Sequence, residues 1–184
     1  MRYYSRDGLT FDVDDTGPEG ADLVVLLHGW PQDRTAWQHV TPRLTEAGLR
    51  VIAPDLRGYS PGARPGNHLE YGLDEIVGDV VALIDAAGAE RAHVVGHDWG
   101  GTIGWFAAIR HPERFTTYTA VSTAHPKAML DAIATDESQR DAMQYIKTFR
   151  EPDAAELLMA DDWRLLREGC HDLPRATFDE HVRL

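Results

Sequence analysis

The segment from His93 to Thr102, HVVGHDWGGT, places an acidic side chain where a strand gives way to a helix. The apolar residues at its start predict a strand, and a helix-compatible stretch follows the paired glycines. Gly96 and Gly100 flank Asp98, and small residues at these positions allow a tight turn that pushes the central side chain out over the sheet edge. The spacing therefore predicts that Asp98 is presented as a nucleophile.

An aspartate at the apex of this turn indicates attack on a saturated carbon. A serine there would need a histidine to take its proton before attacking an acyl carbon. A carboxylate, with an ordinary pKa of about 3.9, is already ionised at neutral pH and displaces a leaving group directly. The alternative is that Asp98 merely caps the following helix, because aspartate is preferred at helix N-caps.

Together with the upstream segment His28-Gly29-Trp30-Pro31, this turn resembles the epoxide hydrolases of the α/β-hydrolase fold. The likeness covers nearly the whole chain and includes PDLRGYS at residues 54–60 and Ala124-His125-Pro126, where the family begins its helical cap. HGxP followed by GxDWG is a specific combination. Either half alone is weaker, since haloalkane dehalogenases share the Asp-Trp turn.

The resemblance implies roles for individual residues. Asp98 would open an epoxide and become an alkyl ester, which water then hydrolyses to a diol. Backbone N–H groups of Trp30 and Trp99 would form the oxyanion hole. Tyr145, in a segment similar to a cap helix of the family, would protonate the ring oxygen, because a phenol with a pKa near 10 is protonated at pH 7. The alternatives are packing roles, for Tyr145 on a helix face and for Trp99 in the core.

Four further residues are expected to shape the pocket and its loop: His28, Gly29, Pro31 and His97. We interpret His28 as a residue that orients the loop rather than as the catalytic base, because the resembled family places its base near the end of the chain. Pro31 would fix the shape of the loop, and the bond before it can be cis, since proline tolerates that isomer.

The departures from the family pattern concern the hydrolysis step. The family completes its triad with an acid after a later strand and a histidine near the C-terminus, whereas this sequence ends at Leu184 inside the cap-like part. His171 and His181 lie in that part and are poor substitutes for the base. We therefore expect a truncated chain that is incomplete for turnover. The remaining alternatives are a haloalkane or haloacid dehalogenase with the same nucleophile and a non-catalytic truncated fragment.

Composition argues against several other classes. The net charge of −12 and the absence of clustered Lys and Arg predict no nucleic-acid partner. Cys170 is the single cysteine, so neither an intrachain disulfide nor a cysteine-rich metal site is expected. His93 and His97 are four residues apart, but strand and turn geometry does not bring that spacing together on a metal.

We accordingly predict no metal and no cofactor, with a small apolar epoxide and water as the reaction partners. The N-terminus lacks the apolar core of a signal peptide, and no stretch has the length of a membrane span. These features predict no membrane association and a cytoplasmic location.

Apolar runs alternate with helical patterns, which favours a mostly parallel sheet with flanking helices, as in the α/β class. Strands are predicted at residues 9–13, 23–27, 50–53, 93–95 and 118–121, and helices at 35–46, 73–87 and 102–110. After Ala124 only helices are predicted, at residues 136–150, 153–159 and 162–168. We therefore predict the N-terminal part of an α/β-hydrolase core at residues 1–124 and a partial helical cap at 125–184, with the C-terminal strands missing.

Overall fold

The N-terminal unit, Met1–Pro126, contains a six-stranded sheet. The structure is a computed structural model and describes residues 1–169. The strands are β1 Tyr3–Arg6, β2 Leu9–Thr16, β3 Leu23–Leu27, β4 Arg50–Pro54, β5 Ala92–His97 and β6 Phe115–Val121. Their order is β1-β2-β4-β3-β5-β6. Strand β1 pairs antiparallel with β2, and β2 pairs antiparallel with β4. Strands β4, β3, β5 and β6 run parallel to one another. The predicted mostly parallel sheet is confirmed.

Three α-helices accompany the sheet: α1 Thr41–Glu46, α2 Leu73–Ala86 and α3 Trp99–Arg110. The prediction of one helix over residues 35–46 is wrong, because a short 3-10 helix, Arg34–Trp37, precedes a separate α1. Pro42 stands in the first turn of α1. Proline has no N–H to donate to a preceding turn, so a helix begins around Pro42 rather than running through it.

Helical segments pack on both faces of β3, whose five residues are all buried. On one face, α2 contributes apolar residues that include Ile76 and Leu83 to the larger core cluster. On the other face, Trp37 packs with Leu26 in a second, smaller core cluster. Burial on both faces explains why β3 reads as an uninterrupted apolar run. It also fixes the end of β3, from which the loop beginning at His28 departs.

A buried ion pair ties the loop after β4 to α2. The Arg57 guanidinium donates to both carboxylate oxygens of Asp79, with Nε and Nη2 each 2.7 Å from an oxygen. Arg57 also donates to the Glu70 carbonyl at 3.0 Å, and Arg6 Nη1 lies 3.0 Å from Asp79. Because both members of the main pair are buried, each neutralises a charge that would be costly alone.

The second unit begins at Lys127 and, in its described residues, is built from helices. It contains α4 Pro126–Thr135 from the second residue of that helix onward, followed by α5 Glu137–Ala142, α6 Gln144–Thr148 and α7 Ala154–Gly169. The backbone of α7 leaves helical geometry over residues 160–163. The prediction of one helix over residues 136–150 is wrong, because the chain departs from helical geometry at Met143. The expectations for His171 and His181 lie outside the described residues, and the predicted domain boundary at 124/125 stays a prediction.

None of the helices in residues 1–169 combines the length and apolarity needed to cross a bilayer.

We predict that Asp79→Ala lowers the free energy of unfolding by about 3–5 kcal/mol, because it leaves the Arg57 charge buried without its main partner. Urea unfolding followed by circular dichroism measures the loss. The control is Asp85→Ala, which removes a mostly exposed partner of Arg114 and should cost no more than about 1 kcal/mol. Equal losses in the two variants would contradict the prediction.

Candidate active site

Asp98 occupies the turn between β5 and α3 in a backbone conformation that non-glycine residues rarely adopt, with φ 51° and ψ −116°. Such conformations persist only where surrounding structure imposes them, and they concentrate at functional sites. The Asp98 carbonyl already accepts the N–H of Thr102 at 3.0 Å as the first hydrogen bond of α3. The main chain thus enters the helix at Asp98.

The Asp98 carboxylate does not cap α3, since it accepts no hydrogen bond from the first turn of that helix. Its Oδ1 instead accepts the backbone N–H of Trp30 at 2.8 Å, from the loop that follows β3. The capping alternative for Asp98 is therefore wrong. The turn presents the carboxylate to a neighbouring loop.

Glycines allow the turn and the loop after β3 to approach each other this closely. A Cβ placed on Gly29 would lie 2.6 Å from the Asp98 Cβ and 2.7 Å from Oδ1. One on Gly100 would lie 2.4 Å from the Leu27 carbonyl oxygen, and one on Gly96 would lie 2.3 Å from the Gly100 carbonyl oxygen. Because real Cβ atoms essentially never show such distances, a side chain at any of these three positions would force the neighbouring atoms to shift.

His28 holds the loop after β3 through backbone contacts. The side chain is fully buried; Nε2 accepts the Leu56 N–H at 3.1 Å, and Nδ1 lies 2.9 Å from the Gly29 carbonyl oxygen. An accepting Nε2 requires a neutral ring with its proton on Nδ1. Burial lowers the pKa of His28 below its ordinary value of 6.5, which also favours the neutral ring. With both nitrogens engaged, the His28 ring has no nitrogen left to act as a base.

Tyr59 is a neighbour of the site that the sequence did not single out. Its ring packs edge-on against His28, with the ring centroids 4.5 Å apart. Burial raises the pKa of the Tyr59 hydroxyl above its ordinary value of 10.0, and the negative charge of Asp98 raises it further. The phenol therefore stays protonated. In the sequence, only its position directly after Gly58 in the PDLRGYS segment could have indicated that Tyr59 lies near the site.

The backbone N–H of Trp99 lies at the start of α3, where N–H groups lack an acceptor within the helix. The next amide, of Gly100, donates to the His28 carbonyl at 3.0 Å. Within the described part of the chain, no residue accepts a hydrogen bond from the Trp99 N–H. The positive end of the α3 dipole adds a preference for negative charge at this point.

The structure also locates four further residues that the sequence singled out: Pro31, Trp99, His97 and Tyr145. The Trp30–Pro31 peptide bond is cis. The Trp99 side chain is 40% exposed, so the alternative that it packs in the core is wrong. His97 is the half-buried last residue of β5. Tyr145 lies on α6 in the second unit, about half exposed and 5.5 Å from the Phe149 ring, and its role stays a prediction.

The structure thus brings Asp98, Gly29 and the backbone amide of Trp30 together at the ends of β3 and β5. A model of the α/β hydrolase fold family matches residues 22–165. The chain belongs to the α/β hydrolase fold family. This membership confirms the predicted fold class, and the family resemblance drawn from the sequence is confirmed by the relatives that follow.

Two curated relatives illustrate the similarity. The chain is 37% identical to Epoxide hydrolase A of Mycobacterium tuberculosis over 169 residues, which cover 90% of the chain and 52% of that protein. It is 34% identical to the AB hydrolase superfamily protein YfhM of Bacillus subtilis over 184 residues, which cover 98% of the chain and 64% of that protein. The chain therefore spans between half and two thirds of the length of these relatives.

A solved structure is also similar to this chain. The epoxide hydrolase of Bacillus megaterium, crystallised with an inhibitor, superposes with a TM-score of 0.89 and 26% sequence identity. The match covers 97% of this chain and 64% of that one. The α/β hydrolase fold thus accounts for nearly all of the chain.

We predict that Gly29→Ala lowers the free energy of unfolding by about 1–3 kcal/mol, because the new methyl group overpacks the contact with Asp98. Denaturant unfolding measures the change. Gly66→Ala is the matched control: a Cβ there meets nothing within 4 Å, so the change should stay within about 0.5 kcal/mol. Unfolding of both variants at the denaturant concentration of the unmodified chain would contradict this prediction.

Proposed function

We propose that this chain carries the nucleophilic half-reaction of an epoxide hydrolase, with Asp98 attacking a carbon of a small apolar epoxide. The observation that carries the proposal is the Asp98 carboxylate, turned away from α3 and bonded to the Trp30 amide. A carboxylate held in this way is fixed in position and available to an electrophilic carbon. The epoxide hydrolases among the relatives support the choice of substrate.

The two carboxylate oxygens of Asp98 have different surroundings and therefore different proposed tasks. Oδ1 accepts the Trp30 N–H, whereas no described residue hydrogen-bonds to Oδ2. Oδ2 would attack the epoxide carbon as the ring C–O bond breaks, and the electron pair of that bond would pass to the ring oxygen. Tyr145 would supply the proton that converts the resulting alkoxide to an alcohol. Oδ1 would then be the carbonyl oxygen of the new ester.

Hydrolysis of the ester would use the same donor. Water adds to the ester carbonyl carbon, and the negative charge that develops falls on Oδ1, beside the Trp30 N–H. The Trp99 N–H would be the second donor of this oxyanion hole. Each such donor is typically worth about 3 kcal/mol of barrier. Loss of the alcohol would release a diol and restore the carboxylate.

A base must remove a proton from the attacking water, and His28 is unsuited to that role. Both of its ring nitrogens bind backbone groups, and the ring is buried. An alkyl ester is stable unless water is activated. We therefore propose that residues 1–184 alone form the ester once and do not turn over.

A dehalogenase would use the same attack on a saturated carbon and release a halide ion. The 40% exposed indole of Trp99 offers an N–H group that could bind halide. The named relatives favour the epoxide, and halide release against diol formation separates the two reactions.

We predict that the purified chain gains the mass of one styrene oxide molecule and that Asp98→Asn abolishes this gain, because a neutral amide loses the charge that drives attack. Intact-mass spectrometry with peptide mapping measures the adduct. The control Asp22→Asn, at an exposed carboxylate, should label like the unmodified chain. Equal labelling of residue 98 in both forms would refute the role of Asp98. Diol far beyond one equivalent, lost in Asp98→Asn, would refute the single-turnover proposal.

We also predict that Tyr145→Phe slows ester formation by up to about 100-fold without changing its extent, because only a proton donor is lost. The rate of mass gain at saturating styrene oxide is the measurement. Tyr3→Phe, at an exposed position of β1, is the matched control and should react at the unmodified rate. An unchanged rate in Tyr145→Phe would assign Tyr145 to packing instead.

A further inference from the structure

Thr123, two residues after β6, contacts the backbone of Asp98 through its side chain. The hydroxyl oxygen lies 3.2 Å from the Asp98 carbonyl oxygen and 3.2 Å from the Val121 carbonyl oxygen. Both partners are acceptors, so the single hydroxyl proton is shared between them in a three-centre hydrogen bond. Thr123 thus reaches the nucleophile turn from the β6 side, opposite the side on which Trp30 binds the carboxylate.

The loop that carries Thr123 is itself held against the turn. Ser122 adopts the left-handed backbone region, with φ 54°, which turns the chain immediately after β6. From α3, Trp105 Nε1 donates to the Thr123 carbonyl at 3.3 Å. A Cβ on Gly101 would lie 2.4 Å from the Thr123 hydroxyl oxygen, so glycine at this position is what admits the threonine side chain.

These contacts link Asp98, α3 and the Thr123 loop to one another in a ring. The helix that begins at Asp98 binds the Thr123 loop through Trp105, and the loop binds Asp98 through the Thr123 hydroxyl. The Asp98 backbone lies in a strained region and would relax if its supports were removed. Rotation of that backbone would carry the carboxylate away from the Trp30 N–H.

We propose that Thr123 is a positioning residue for Asp98, whose hydroxyl keeps the strained turn in the conformation that directs the carboxylate to the Trp30 amide. Its effect on the rate of ester formation rests on the proposed function, whereas its effect on the Trp30–Asp98 hydrogen bond does not. A threonine that only packed would stabilise the turn equally well with its hydroxyl replaced by a methyl group.

The test compares Thr123→Val, which removes the hydroxyl but keeps the shape, with Thr123→Ser, which keeps the hydroxyl. Thr119→Val is the matched control, because Thr119 is exposed on β6 and makes no side-chain hydrogen bond with any residue in the range 1–169. Amide hydrogen exchange at Trp30, measured by NMR on the ¹⁵N-labelled chain, reports the Trp30–Asp98 bond. Exchange at Val94, in the centre of the sheet, reports general unfolding.

We expect Thr123→Val to accelerate Trp30 exchange relative to Val94 by about three- to tenfold, the range expected for one lost hydrogen bond. Thr123→Ser and Thr119→Val should match the unmodified chain. Unchanged Trp30 exchange in Thr123→Val, or an equal acceleration in Thr123→Ser, would overturn the proposal. If Thr123→Val does not fold, Trp105→Phe takes its place, because it releases the Thr123 carbonyl and should accelerate Trp30 exchange in the same direction. No acceleration in Trp105→Phe would then overturn it.

The rate of ester formation with styrene oxide is the second measurement. It should fall about 10- to 100-fold in Thr123→Val and recover in Thr123→Ser, since misplacing a nucleophile slows attack to this degree. A chain that forms no ester while Trp30 exchange responds as expected would refute the proposed function and leave the positioning role standing. Ester formation at the unmodified rate in Thr123→Val would overturn the positioning role.

Discussion

The close contact between Gly29 and the Asp98 carboxylate sets the geometry of the surrounding structure. It requires that the loop after β3 and the turn after β5 pass each other with no side chain between them. The parallel pairing of the two strands, with Leu27 opposite Gly96, brings both loops to the same edge of the sheet. Gly100 continues the contact along the His28 carbonyl, and the Trp30 amide completes it at the carboxylate.

The strained backbone of Asp98 is offset by hydrogen bonds from three directions. The Trp30 N–H binds the carboxylate, the Thr102 N–H binds the carbonyl from within α3, and the Thr123 hydroxyl reaches the same carbonyl. Each bond contributes about 0.5–1.5 kcal/mol, and strain of this kind costs about 1–3 kcal/mol. Two or three such bonds suffice to hold the turn, which explains why a non-glycine residue is tolerated there.

Contacts further from Asp98 hold the loops that lie next to it. His28 is neutral and buried, and it links the loop after β3 to the loop after β4 through the Leu56 amide. The Arg57–Asp79 pair then fixes the loop after β4 to α2. These contacts hold the turn that carries Asp98 on a rigid frame.

The sequence alone determined the tight turn at Asp98 and the mostly parallel sheet, because these features depend on residues close together in the chain: the glycine spacing around Asp98 and the apolar runs. The loop of the HGWP segment was expected beside that turn only through the family resemblance. Only the tertiary structure decided which groups support Asp98. Thr123 and Tyr59 lie 25 and 39 residues from it along the chain and meet the site through strand order and register, which short-range patterns do not encode. The same reason accounts for the direction of the Asp98 carboxylate. The local sequence is the same whether the carboxylate caps α3 or faces another loop, and the hydrogen bond from the Trp30 amide, 68 residues away, distinguishes the two.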